Sequence, residues 1–225
     1  MLAGATLVLM LQGAKATLAT DFYPFNEGDE YSYEDTIGKR GYAMVMRVGK
    51  PVTKDAATVY PVVVETGAAE PSVLEYQPDG DVVKRYNAYK VQAKNPDGTP
   101  MFDDNEQPVK KWEVSAYPVF KLTTSQVEWA FVGRTELMQD MTSLSLRGKS
   151  KYLGRQRVLG ESREVIEVTL DLSGGALDGP SVDSHSVSRY ARGVGLYWMK
   201  ETNTFGKRKV ERTRRLLAYS PKKDA

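Results

Sequence analysis

Apolar and polar residues alternate along much of this chain. From Glu164 to Leu172, Ile166, Val168, Leu170 and Leu172 fall on one side. Val165, Glu167, Thr169 and Asp171 fall on the other, the period-two signature of a half-buried strand. Gly174-Gly175 closes that run. The same period places Tyr31 with Tyr33, and Tyr42 with Met44 and Met46. Thr58 to Glu65 is rich in β-branched residues, and Pro61 within it signals an edge or a bulge. Val73–Tyr76 and Val82–Tyr86 flank Pro78-Asp79-Gly80, a hairpin signal. Leu144–Tyr152 and Arg155–Leu159 read as further strands.

One segment competes. Ser125-Gln-Val-Glu128 has capping-box spacing and is followed by Trp129, Phe131 and Leu137, which would suit a helix from Gln126 to Met141. Gly133 would cost that helix about 1 kcal/mol. Val127 to Gly133 also reads as an aromatic strand, and the strand is the favoured reading. The pattern predicts a mainly β protein: an antiparallel, strongly curled sheet or incomplete barrel built from hairpins, or two related β lobes. Asn-Pro-Asp-Gly and Asp-Asp-Asn-Glu between Lys94 and Pro108 read as an exposed loop. That loop suggests halves at 20–110 and 111–225. Val59–Glu65 and Val165–Asp171, and Tyr86 and Tyr190, occupy similar places in the two halves, a weak internal repeat.

The first residues follow a different rule. Met1 to Leu11 is an apolar run of signal-peptide length, broken only by Thr6, followed by small residues. Ala14-Lys15-Ala16 and Thr17-Leu18-Ala19 are both cleavage-site candidates. No Lys or Arg precedes Lys15, so the usual basic start is missing. The expectation is a leader over 1–19, a β-rich domain over 20–225, and an exported protein, periplasmic or secreted. The run is shorter than the ~20 residues that span a bilayer, and no transmembrane span is expected.

Charge and composition narrow the function classes. The chain has 31 Lys+Arg against 29 Asp+Glu, a net charge of +2. Nucleic-acid binders usually carry a strong basic excess, so that class is not expected. There is no cysteine, which removes disulfides, thiolate metal sites and thiol nucleophiles. The one histidine, His185, reads as a polar loop residue; Asp183 and Ser184 stand too close to it in sequence to imply a triad. Gly148-Lys149-Ser150 lacks the upstream glycine of a P-loop, because position 143 is Ser143. Asp97, Asp103, Asp104 and Glu106 are hard oxygen donors but fit no calcium-loop spacing. No metal and no cofactor are expected.

Phe22 to Tyr33 opens with an aromatic-Pro step, a glycine turn and an aromatic strand. Tyr190 to Tyr219 holds an aromatic, then Gly193-Val194-Gly195-Leu196, and finishes on Leu216-Leu217-Ala218-Tyr219. Together these resemble the opening strand and closing hairpin of a group of exported bacterial β proteins known mainly as domains of unknown function. The resemblance implies a compartment and a fold, and it carries over no functional residue.

The resulting expectation is a non-enzymatic exported β protein that binds a ligand or partner, or acts as a structural module. Tyr42, Tyr60, Trp129, Tyr197 and Trp198 are candidates to line a concave binding face. Lys207, Arg208, Lys209, Arg212, Arg214 and Arg215 are candidates for a patch that meets an anionic polymer or lipid headgroups. In the closing hairpin, Arg212 and Arg214 are expected in solvent, with Leu217 and Tyr219 facing the core after a change of face near Arg215. At least one of Gly193 and Gly195 is expected at positive φ. The rival class is a hydrolase built on carboxylates such as Glu65, Glu75, Glu161, Glu164, Glu167 and Asp171.

Overall fold

The computed structural model describes residues 17–54, 56–67, 69–137, 140–175 and 181–222. The expected leader therefore lies outside the described residues up to position 16. Among these residues a single helical turn, α1 (Ala19–Phe22), precedes thirteen strands. These are β1 (Glu30–Ile37), β2 (Arg40–Val48), β3 (Val52–Lys54), β4 (Ala57–Thr66), β5 (Ser72–Asp79), β6 (Val82–Gln92) and β7 (Lys110–Lys121). The series continues with β8 (Gln126–Leu137), β9 (Asp140–Val158), β10 (Glu161–Gly175), β11 (Ser181–Ala191), β12 (Gly195–Phe205) and β13 (Arg208–Ser220). Gln126 to Leu137 is strand, as favoured over the helix.

All pairings are antiparallel, and the strands form one sheet ordered β7-β6-β5-β4-β2-β1-β13-β12-β11-β10-β9-β8, with β3 added against β4. Two meanders of hairpins thus run outward from a central seam where β1 pairs β13. The outermost strands, β7 and β8, are consecutive in sequence. The sheet curls until they approach each other: the Trp129 indole donates to the Pro118 carbonyl at 3.3 Å, and the Tyr117 and Phe131 rings lie 6.0 Å apart. Among the described residues no ladder joins them, so the curled sheet stops short of a closed barrel. Residues 94–108 form a compact arm between the adjacent strands β6 and β7, held by the Lys94–Pro100 and Phe102–Pro108 bridges.

The inward faces of both meanders share one core. Gly193 and Gly195, at φ 71° and 93°, turn β11 into β12 in a conformation that side chains resist. A Cβ on Gly195 would also crowd Pro24 at 3.2 Å.

In the closing hairpin β12 pairs antiparallel with β13 around a two-residue turn at Gly206-Lys207. Its facing differs from expectation. Arg212, Arg214 and Leu216 share the inward side, and Leu217 is 57% exposed. The register between β1 and β13 shifts after Ser32, so Tyr33 pairs Leu216 and Tyr31 pairs Tyr219. The change of face is therefore a one-residue bulge at Leu217, not a switch at Arg215.

Candidate functional site

The end of the curled sheet nearest the N-terminus is filled by the chain itself. Phe22 and Phe25 are buried, and Tyr23 lies among them. The Tyr23 ring stands 5.2 Å from Tyr76 on β5 and 5.3 Å from Tyr190 on β11, bridging the two meanders. Phe22 stacks on Phe120, and Phe25 packs at a tilt against Tyr60 with ring centroids 5.1 Å apart. Backbone bonds pin this plug to the turns around it: Ala19 N–H donates to Gly80 O (3.2 Å) and Gly193 N–H to Asp21 O (2.6 Å). Arg192 reaches Asp21, Glu164 and the Thr17 hydroxyl. Asp29, buried at the exit of the plug, accepts from Asn26, the Tyr219 hydroxyl and the Lys222 amide. Burial and then that bond to Asp29 push the Tyr219 phenol up to about 12.

Little room is left inside. The apolar space between the plug and Tyr31, Tyr33, Met46 and Val62 has a volume of about 30 Å³. That is enough for a water or two, against the ~300 Å³ or more of a ligand pocket.

The candidate aromatic face does not assemble. Tyr60 is part of the plug's packing. Trp129 is buried and lies across Gly148, where a Cβ would sit 2.0 Å from the ring. Tyr42 is exposed opposite Asp35. Tyr197 donates its hydroxyl to Gln156 at 3.1 Å. Trp198 pairs with Arg189 and Arg215 on the outer side and carries the Arg189 guanidinium 4.9 Å from its ring centroid.

The candidate basic patch divides. Arg214 is buried, and Arg214 and Arg212 both donate to the buried carboxylate of Asp35. Burial alone would raise the Asp35 carboxyl. The bonds and charge of Arg214, then Arg212, outweigh it and hold the group below the ordinary carboxylate range. Burial would likewise lower Arg214, and Asp35 raises it instead. Arg212 and Arg214 are thus core partners, not solvent cations. Lys207, Arg208, Lys209 and Arg215 remain exposed, with Lys209 paired to Glu211 at 3.0 Å.

Sequence reasoning missed this inner ion pair. Its signal was the parity that Arg212 and Arg214 share with Leu216, and that Asp35 shares with Tyr31 and Tyr33.

The remaining chemistry sits on the outer face. His185 lies on β11, not in a loop, and its Nδ1 is 2.6 Å from Asp171 Oδ1. Ser173 donates to Asp183 beside it (2.6 Å), in an open depression of about 440 Å³ that also takes in Arg147. The six carboxylates considered for hydrolysis each meet their own basic partner: Glu65 with Arg47, Glu75 with Lys54, Glu161 with Arg163, Glu164 with Arg192, Glu167 with Arg189, and Asp171 with His185. In the arm, Asp97 accepts from Thr99, and Asp103 from the Asn105 and Gln107 amides, as turn-forming side chains do. Among the described residues no three His, Asp or Glu side chains form a metal-holding group. No helix among them is long and apolar enough to cross a membrane.

No family model matches the chain, and no curated protein does. Among solved structures, a protein designated a lipoprotein from Parabacteroides distasonis superposes with TM-score 0.46 at 10% identity, over 92% of this chain and 100% of that one. A protein designated as exported, with a YmcC-like fold, from Bacteroides fragilis superposes with TM-score 0.43 at 10% identity, over 89% and 99%.

Proposed function

We propose that this is an exported envelope or secreted β protein that works through its outer surface, as a partner-binding or structural module, and not as an enzyme or a carrier of a ligand in its lumen. The observation that carries this reading is the plug: Phe22, Tyr23 and Phe25 occupy the space where a curled sheet of this kind would hold a guest. The export half rests on the apolar leader. The plug's contacts also favour one of the two cleavage sites that the sequence leaves open. Ala19 is fully buried, and Thr17 is bonded to Arg192. Cleavage after Ala19 would remove both contacts, whereas cleavage after Ala16 keeps them and uses the better small-x-small site. The mature chain then starts at Thr17.

Intact-mass measurement on protein exported by its native host tests the first part. A mass beginning at Thr17 supports it, a start at Thr20 corrects the site, and an uncleaved cytoplasmic chain removes export. Native mass spectrometry and an apolar fluorescent probe test the second part. A co-purifying lipid, or saturable probe binding inside the lumen, would contradict the outward-acting reading.

A further inference from the structure

Among the described residues, and apart from the short β3, every strand in the sheet has both edges paired except β7 and β8. We propose that the free edge of β7 is a self-association site, pairing antiparallel with β7 of a second copy about a two-fold axis at Trp112.

The backbone parity of β7 defines the site. The Ala93 N–H donates to the Val109 carbonyl at 2.8 Å, so residue 109 faces β6. Period two then turns 111, 113, 115 and 117 toward β6, and presents the amides and carbonyls of Lys110, Trp112, Val114 and Ala116 to the open side. The free stretch ends at Pro118, which has no N–H and whose carbonyl is taken by the Trp129 indole.

The open edge carries large apolar side chains beside its charges. Trp112 is 64% exposed and Val114 42% exposed, on the same outer side. Lys110 and Lys111 would discourage random strand addition. One register turns them to advantage. With the axis at Trp112, Lys111 stands opposite Glu113 of the partner subunit, and Glu113 opposite Lys111 of the partner subunit. Lys110 meets only an apolar position, Val114 of the partner subunit. The charges that pair across the axis already lie 3.2 Å apart within one strand. An axis at Val114 would offer no opposite charges. The interface is isologous and closes at two copies, so it does not propagate into fibres. A single short strand pair buries less than the ~1,200 Å² of a standard interface, which makes the dimer weak and reversible.

The proposal rests on the outer surface being the working one. The two ideas fail separately, because lumen occupancy does not enter the test that follows. Sedimentation equilibrium of the mature protein, up to about 1 mM because the interface is small, should show a monomer–dimer equilibrium. Lys111→Glu and Glu113→Lys should each weaken the dimer at least ten-fold by placing like charges opposite one another. The double variant K111E/E113K should recover most of that loss. Trp112→Lys should abolish dimerisation without changing the thermal melt, which reports the fold in every variant. A monomer at all concentrations would overturn the proposal. So would single reversals without effect, or a double variant no better than the singles.

Discussion

The plugged end of the lumen and its charged middle solve one problem in opposite ways. A sheet of this width cannot fill its own interior with the side chains of one wall. At the N-terminal end the gap is closed by Phe22, Tyr23 and Phe25, whose burial is favourable wherever it is dry. Further along the same strands it is closed by Asp35 held between Arg212 and Arg214, with the Arg214 guanidinium 5.5 Å from the centroid of the Tyr33 ring. The aromatic solution tolerates any register that keeps the rings inside. The ionic one is stabilising only in the register that brings β1 and β13 together, because a lone buried charge is costly. The plug therefore supplies stability, and the ion pair enforces the central seam between the two meanders.

The largest expected effect comes from breaking the ionic side. Asp35→Ala leaves Arg214 buried and unpaired and should destabilise by about 3–5 kcal/mol in denaturant melts. The double variant Asp35→Leu/Arg214→Met should recover most of that. If the single change cost no more than the double, the ion pair would have no role in the seam. On the aromatic side, Phe22→Ala should cost about 3–4 kcal/mol through transfer and cavity terms. Gly148→Ala, which pushes a methyl into the Trp129 ring, should cost about 1–3 kcal/mol by overpacking.

Acid separates the two regions without mutation. Asp35 is depressed in the folded state, so its contribution is present above the ordinary carboxylate value near ~4. It is lost as pH falls through the lower folded value, with a slope of up to about 1.4 kcal/mol per pH unit. The Asp35→Leu/Arg214→Met protein should lack that component, whereas Phe22→Ala should keep it. His185→Ala, on the exposed outer face, should change stability by under about 0.5 kcal/mol.

Local alternation was enough to read β1, the β5–β6 hairpin, β10 and the glycine pair before β12, because each is set by neighbours within about ten residues. The plug and the ion pair were not readable in that way. Asp35 and Arg214 are 179 positions apart, and nothing local announces that β1 and β13 pair. The face change expected near Arg215 misplaced Leu217: alternation from Arg214 turns Leu216 inward and Leu217 outward, and the bulge at Leu217 is what returns Tyr219 to the side of Tyr31. The aromatic candidates were chosen by residue type. Residue type does not separate Tyr60, which packs on the plug, from Trp198, which faces outward under Arg189.

The central claim is that the segment from Ala19 to Phe25 is a structural plug and not a tail. Amide hydrogen exchange on the folded protein, read at Ala19, Tyr23 and Gly193, addresses it most directly, because these amides donate to Gly80, Ala19 and Asp21. The account predicts protection close to that of the core strands, lost only with global unfolding. Exchange of Ala19 and Tyr23 at the rate of a free peptide, with the sheet still protected, would contradict it and leave the lumen open to a ligand.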